Sequence, residues 1–113
     1  MTRNRLEERN LCADLVQVGW KLENGSKHTE WATLEDISAS GACLKMEDPI
    51  PPKTIVSLHF SKGHCEALVK YCVADFSGYL LGVEFANGYR WSRTKFKPEH
   101  LIQFHLRPAP RKT

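Results

Sequence analysis

Two short patterns hold the residues whose types and spacing could do chemistry. Arg5-Leu6-Glu7-Glu8-Arg9 is an R-x-x-x-R, and Asp36-Ile37-Ser38-Ala39-Ser40-Gly41 is a D-x-S-x-x-G. On extended chain Asp36 and Ser38 are i and i+2, so both short polar side chains project from one face. Together they can accept from the N1–H and N2–H₂ donors of a guanine edge. Gly41 then permits a turn, or a close backbone approach that a Cβ would block. Arginine meets the opposite need, because its fork matches guanine O6/N7 or a phosphate. Arg5 and Arg9 lie roughly 13 Å apart in extended chain, which suits two anionic or guanine groups of one ligand. Glu7 falls on the same side if the segment is straight, where it would pair with an arginine and repel a dianionic ligand. The same residues also suit a plainer reading. Asp36–Gly41 would then be a capped turn between strands, and Arg5 and Arg9 part of a solvated terminus.

The two patterns differ in information. Arg107 and Arg111 make a second R-x-x-x-R, read as accidental tail composition. A D/N-x-S-x-x-G arises by chance in roughly 3% of chains of this length and composition.

Catalytic signatures are missing: there is no G-x-S-x-G, H-E-x-x-H, P-loop or G-x-G-x-x-G. His28, His59, His64, His100 and His105 are scattered, and the last two are five apart, off the i, i+4 face that helical metal ligands share. Glu35 and Asp36 are adjacent, so on a strand they point to opposite faces and cannot share a proton. Cys12, Cys43, Cys65 and Cys72 show no C-x-x-C pairing and read as reduced core or half-buried thiols. No enzyme, cofactor or metal is expected.

The elements that must position these residues are mostly strands. Leu11–Lys21 and His28–Ile37 flank an Asn24-Gly25 turn, Ser38–Gly41 breaks the second run, and Ala42–Met46 resumes it. Val56, Leu58 and Phe60 alternate after Pro51-Pro52. Cys65, Ala67, Val69, Tyr71 and Val73 share one face of a longer run, and Tyr79–Phe85 follows the Ser77-Gly78 turn as a hairpin partner. About six short strands suggest a small antiparallel barrel or sandwich. Pro98, Leu101 and Phe104 predict a short C-terminal helix, and Arg107–Thr113 a loose tail.

At 113 residues, with 42% apolar and 26% charged residues, the chain fits one globular domain. The longest apolar runs are strand-length, which argues against a membrane span. The N-terminus has no apolar leader-like core, so a cytoplasmic protein is expected. Charge is segregated: nine Lys/Arg face twelve Asp/Glu through residue 85, and seven face one beyond it. A basic end of this kind is usually a solvated tail, so nucleic acid is not the expected partner.

R-x-x-x-R, some 25 residues, then D-x-S-x-x-G and an apolar strand: this order resembles the PilZ domain family. Gly41-Ala42-Cys43-Leu44, Val56-x-Leu58-x-Phe60 and Leu81-Gly82-Val83-Glu84-Phe85 look like that family's later strands. The resemblance spans about residues 3–104. It implies an all-β fold, a six-stranded antiparallel β-barrel with a short C-terminal helix. It also implies a bacterial receptor for the second messenger cyclic di-GMP. Arg5 and Arg9 would grip guanine edges and phosphates, while Asp36, Ser38 and Gly41 would line the receiving surface. Arg3 and Asn4, just before the motif, are possible secondary contacts. Residues 1–10 would be a flexible clamp that orders on binding, 11–106 the barrel with its helix, and 107–113 a disordered basic tail. With no second domain to act, output would pass to an effector protein. The alternatives are a nucleotide-independent interaction module and, less favoured, a nucleic-acid binder using the basic end.

Overall fold

A computed structural model describes residues 7–101 as six antiparallel strands. They are β1 (Asn10–Lys21), β2 (Lys27–Ile37), β3 (Gly41–Met46), β4 (Ile55–Phe60), β5 (Gly63–Asp75) and β6 (Gly78–Phe85). The order β1-β2-β3-β6-β5-β4 closes on itself, because β1 also pairs with β4 through Gln17–Gly19 and Ser57–His59. Closure leaves no edge strand open to a foreign one.

Period-2 alternation fills the inside. Val16, Val18 and Trp20 of β1 meet Ala32, Leu34 and Ile37 of β2 and Ala42, Leu44 and Met46 of β3. Val56, Leu58 and Phe60 of β4 and Leu81, Val83 and Phe85 of β6 complete the ring. Each large aliphatic so buried contributes about 1.5–3 kcal/mol. Ile50 from the β3–β4 connection and Trp91 and Phe96 from the segment after β6 join the same core. Trp91 Nε1 donates to the Phe96 carbonyl at 3.1 Å, which satisfies the indole while its ring is buried.

The register slips at three places, one of them between Leu11 and Asp14 of β1, and the other two bear on which way the site residues face. Between Leu34 and Asp36 the β2–β3 register slips by one, so Leu34 and Ile37 both point inward. A second slip lies between Val69 and Tyr71, where Val69 pairs with Val83 but Tyr71 with Gly82. The expectation that Tyr71 and Val73 continue the inward face of Cys65, Ala67 and Val69 is therefore corrected. Both lie on the outside, 44% and 48% exposed. The physical cause is that one unpaired residue, Lys70, inverts every later side chain.

The four thiols are free, with Cys43 and Cys65 buried. Burial pushes Cys12 up to about 12 and Cys65 up to about 11, so both stay protonated and unreactive. Pro98–Leu101 is turn and coil, with His100 at φ 58°; the rest of the expected C-terminal helix, residues 102–106, and the tail lie outside the described residues. Among the described residues, no helix is long and apolar enough to cross a membrane.

Gly41 sits where β3 meets β6, and a Cβ there would run into the Val83 carbonyl oxygen. Gly41→Ala should therefore destabilise the ligand-free barrel by about 1–3 kcal/mol, an overpacking penalty read by chemical denaturation. A loss below about 0.5 kcal/mol would show that the β3–β6 pair yields at this point.

Candidate functional site

The D-x-S-x-x-G segment is the short link between β2 and β3. Ser38 N–H and Oγ both donate to the Gly41 carbonyl, at 2.8 and 3.3 Å, which closes the turn. The two carbonyls between them point elsewhere. Ala39 O accepts from Trp91 N–H at 2.9 Å, and Ser40 O accepts from Phe85 N–H at 2.8 Å. The link is thus tied to the end of β6 and to the segment beyond it. Those bonds bring Arg90 and Arg93 alongside.

Arg9 and Asp36, 27 residues apart, form an ion pair with Nη2 to Oδ1 at 3.1 Å. Burial by itself would lower the Arg9 value, but the Asp36 charge and hydrogen bond outweigh it, so the guanidinium is more firmly charged than usual. Asp36 also belongs to a row across the outside of the barrel, Leu11, Asp36, Cys43, Gly82, Tyr71, set by the strand registers. The Tyr71 ring lies over Gly82, where a Cβ would strike it. Its hydroxyl bonds the Cys43 thiol, and burial together with that partner pushes the phenol up. The row therefore runs from a charged end at Asp36 to a flat, half-exposed aromatic end.

Glu7 occupies the link itself. Its Oε1 accepts from Ser40 Oγ at 2.8 Å and from Ser40 N–H at 3.3 Å, and its Oε2 accepts from Arg90 Nη2 at 3.4 Å. Partial burial pushes the carboxyl up. The Ser40 and Ser38 hydroxyls, the Ser40 amide and the Arg90 charge outweigh that and hold it below its ordinary 4.5. A neighbouring cleft of about 290 Å³ is lined by Glu7, Asn10, Ala39, Trp91 and Arg93 among others. That is near the lower bound for small-molecule sites, about 300–1,000 Å³. Asn10 bridges cleft and barrel, donating from Nδ2 to Ile37 O at 3.3 Å and accepting from Arg93 Nη2 at 3.3 Å.

Of the residues expected to act, Arg9, Asp36, Ser38 and Gly41 come together, while Arg3, Asn4 and Arg5 lie outside the described residues. Two expectations change. Among the described residues Glu7 pairs with Arg90 and Ser40, not with Arg9. Ser38 spends its hydroxyl proton on the turn, where an outward partner for Asp36 was expected. The structure opens β1 at Asn10 and bonds Glu7 and Arg9 to the barrel. Ser40, Arg90 and Tyr71 went unmarked. Ser40 was legible as a hydroxyl inside the motif, but Arg90 is 83 positions from Glu7 and carries no local signal.

Across the barrel, His28 and Glu30 of β2 and Asp48 after β3 bring three ligand-type atoms within 4.8 Å of one another. One imidazole and two carboxylates are a donor set divalent metals accept. The group stands at the opposite end of β2 from the Asp36–Gly41 link and takes no part in it.

The family model described as PilZ domain matches residues 3–107. No curated protein and no solved structure matches.

Because the folded-state value of Glu7 lies below the unfolded one, its contacts contribute fully above pH 4.5 and are lost as pH falls through the folded value. The Ser40 amide resonance should titrate with a midpoint below 4.5, and Glu7→Gln should abolish that titration. A midpoint at or above 4.5 would contradict the contact.

Proposed function

The chain belongs to the PilZ domain family, and from that premise we propose that it is a cyclic di-GMP receptor signalling to an effector protein in a bacterial cytoplasm. One observation carries the reading: the two motifs, distant in sequence, converge at the Arg9–Asp36 pair on the outer wall of the barrel. Convergence is what a single ligand bridging both would require.

In this reading Asp36 accepts from the N1–H and N2–H₂ of one guanine, and Arg9 offers its fork to O6/N7 or to a phosphate. Arg9 and Asp36 must first part from each other. That exchange is inexpensive, because the Arg9 side chain is 51% exposed and such pairs contribute about 0–1 kcal/mol. Tyr71 offers a flat ring at the far end of the row, suited to stacking on a base. Arg5, with Arg3 and Asn4 beside it, supplies further contacts as the segment before β1 closes on the ligand. Residues 1–9 act as the clamp, and the ordering of the clamp is the signal that a partner protein reads. Gly41 serves the site indirectly, by letting the link sit tight against β6.

A calorimetric titration tests this. Cyclic di-GMP should bind with micromolar or better affinity, about −8 kcal/mol. Arg9→Ala and Arg5→Ala should each weaken it at least several-fold, since a bidentate arginine contact contributes about 1–3 kcal/mol. Absence of binding, or affinity indifferent to both substitutions, would leave the nucleotide-independent interaction barrel as the better account.

A further inference from the structure

The carboxylate of Glu7 rests on a set of groups that all give hydrogen bonds or positive charge. Ser40 donates twice, through its backbone N–H and its hydroxyl, and Arg90 donates from its guanidinium to the other oxygen. A backbone amide, a hydroxyl and a guanidinium converging on two oxygens is a set that receives phosphate as readily as carboxylate. The chemistry of the two anions is matched here: a phosphodiester, like Glu7, presents two unprotonated oxygens and one negative charge. The cleft that opens beside Glu7 carries both signs, with Glu8 and Arg93 in its lining, and Lys95 Nζ donates to the Arg90 carbonyl from its place over the Tyr89 ring.

Resting on the receptor reading, we propose that Ser40 and Arg90 form a phosphate subsite, and that Glu7 occupies it in cis in the free protein. Glu7 lies two residues before Arg9, so one short stretch of chain holds both the competitor and a ligand-gripping arginine. When a phosphodiester of the nucleotide takes the Ser40 and Arg90 donors, Glu7 must leave. Its departure also frees the chain before Arg9 to be redrawn around the ligand. The ligand then replaces an internal anion on the same donors. Apparent affinity falls by the fraction of molecules in which the subsite is open, so a carboxylate seated in nine of ten molecules weakens binding about tenfold.

Glu7→Gln keeps the shape and removes the charge. It should tighten cyclic di-GMP binding by about three- to tenfold. Arg90→Gln should then weaken the Glu7→Gln protein more than it weakens the wild type, because in the wild type it also releases the competitor. Inorganic phosphate supplies a second probe that does not depend on the nucleotide. Followed at the Ser40 amide by NMR, millimolar phosphate should perturb the Glu7→Gln protein and leave the wild type little changed. Nucleotide binding that is unaltered or weaker in Glu7→Gln would overturn the subsite while leaving the receptor reading intact. Phosphate binding gained by Glu7→Gln without any nucleotide binding would sustain the subsite and overturn the receptor reading.

Discussion

Six strands have two open edges unless the last meets the first, and here β1 meets β4 across only Gln17–Gly19 and Ser57–His59. This short seam is what the rest depends on. It converts a curled sheet into a wall with a sealed interior, so that inward residues are buried from every side. The antiparallel neighbours β1, β2, β3 and β6 set which strand ends lie together. The β2–β3 link, the end of β6 and the start of β1 share one end of the barrel, and the Ala39–Trp91 and Ser40–Phe85 backbone bonds lock that arrangement. Trp91 and Phe96 then plug the same end from inside, which ties a surface site to core packing.

Polar satisfaction on this surface is local and nearly complete. Arg9 answers Asp36, Glu7 answers Ser40 and Arg90, and Asn10 answers both Ile37 and Arg93. The Arg9–Asp36 and Glu7–Arg90 pairs each have an exposed arginine and are individually weak and exchangeable, whereas Asn10 is buried. Weak, exchangeable pairs around a firm backbone are what a surface needs if an anionic ligand is to replace internal partners without disturbing the fold. The firmness comes from glycine as much as from hydrogen bonds. At Gly41 and Gly82 a side chain would meet the Val83 carbonyl and the Tyr71 ring, so close backbone and ring contact there depends on having no Cβ.

The basic residues after β6 acquire a different meaning in the fold. As a count, seven positive charges against one negative describe a basic end. In place, Arg90 faces Glu7, Arg93 reaches Asn10, and Lys95 lies 4.1 Å from the Tyr89 ring centroid. Among the described residues, these three charges are engaged side chain by side chain.

What the sequence by itself determined is the strands and the motif they carry. Alternation at Val56, Leu58 and Phe60, the Asn24-Gly25 turn, and the break at Ser38–Gly41 are local signals, because side chains alternate with period 2 whatever the partner strand. Six strands, their boundaries within a residue or two, and the Asp36–Gly41 link were all legible on that ground. What only the tertiary structure decided is where those residues face and whom they meet. The bulge at Lys70 turned Tyr71 and Val73 outward, since a register slip is a property of two strands and neither one shows it alone. Glu7 found Ser40 and Arg90 because the antiparallel pairing of β1, β2, β3 and β6 in that order brings chain segments 33 and 83 residues away to one end. Pairings at that separation follow from the topology of the closed sheet, and no local spacing encodes them.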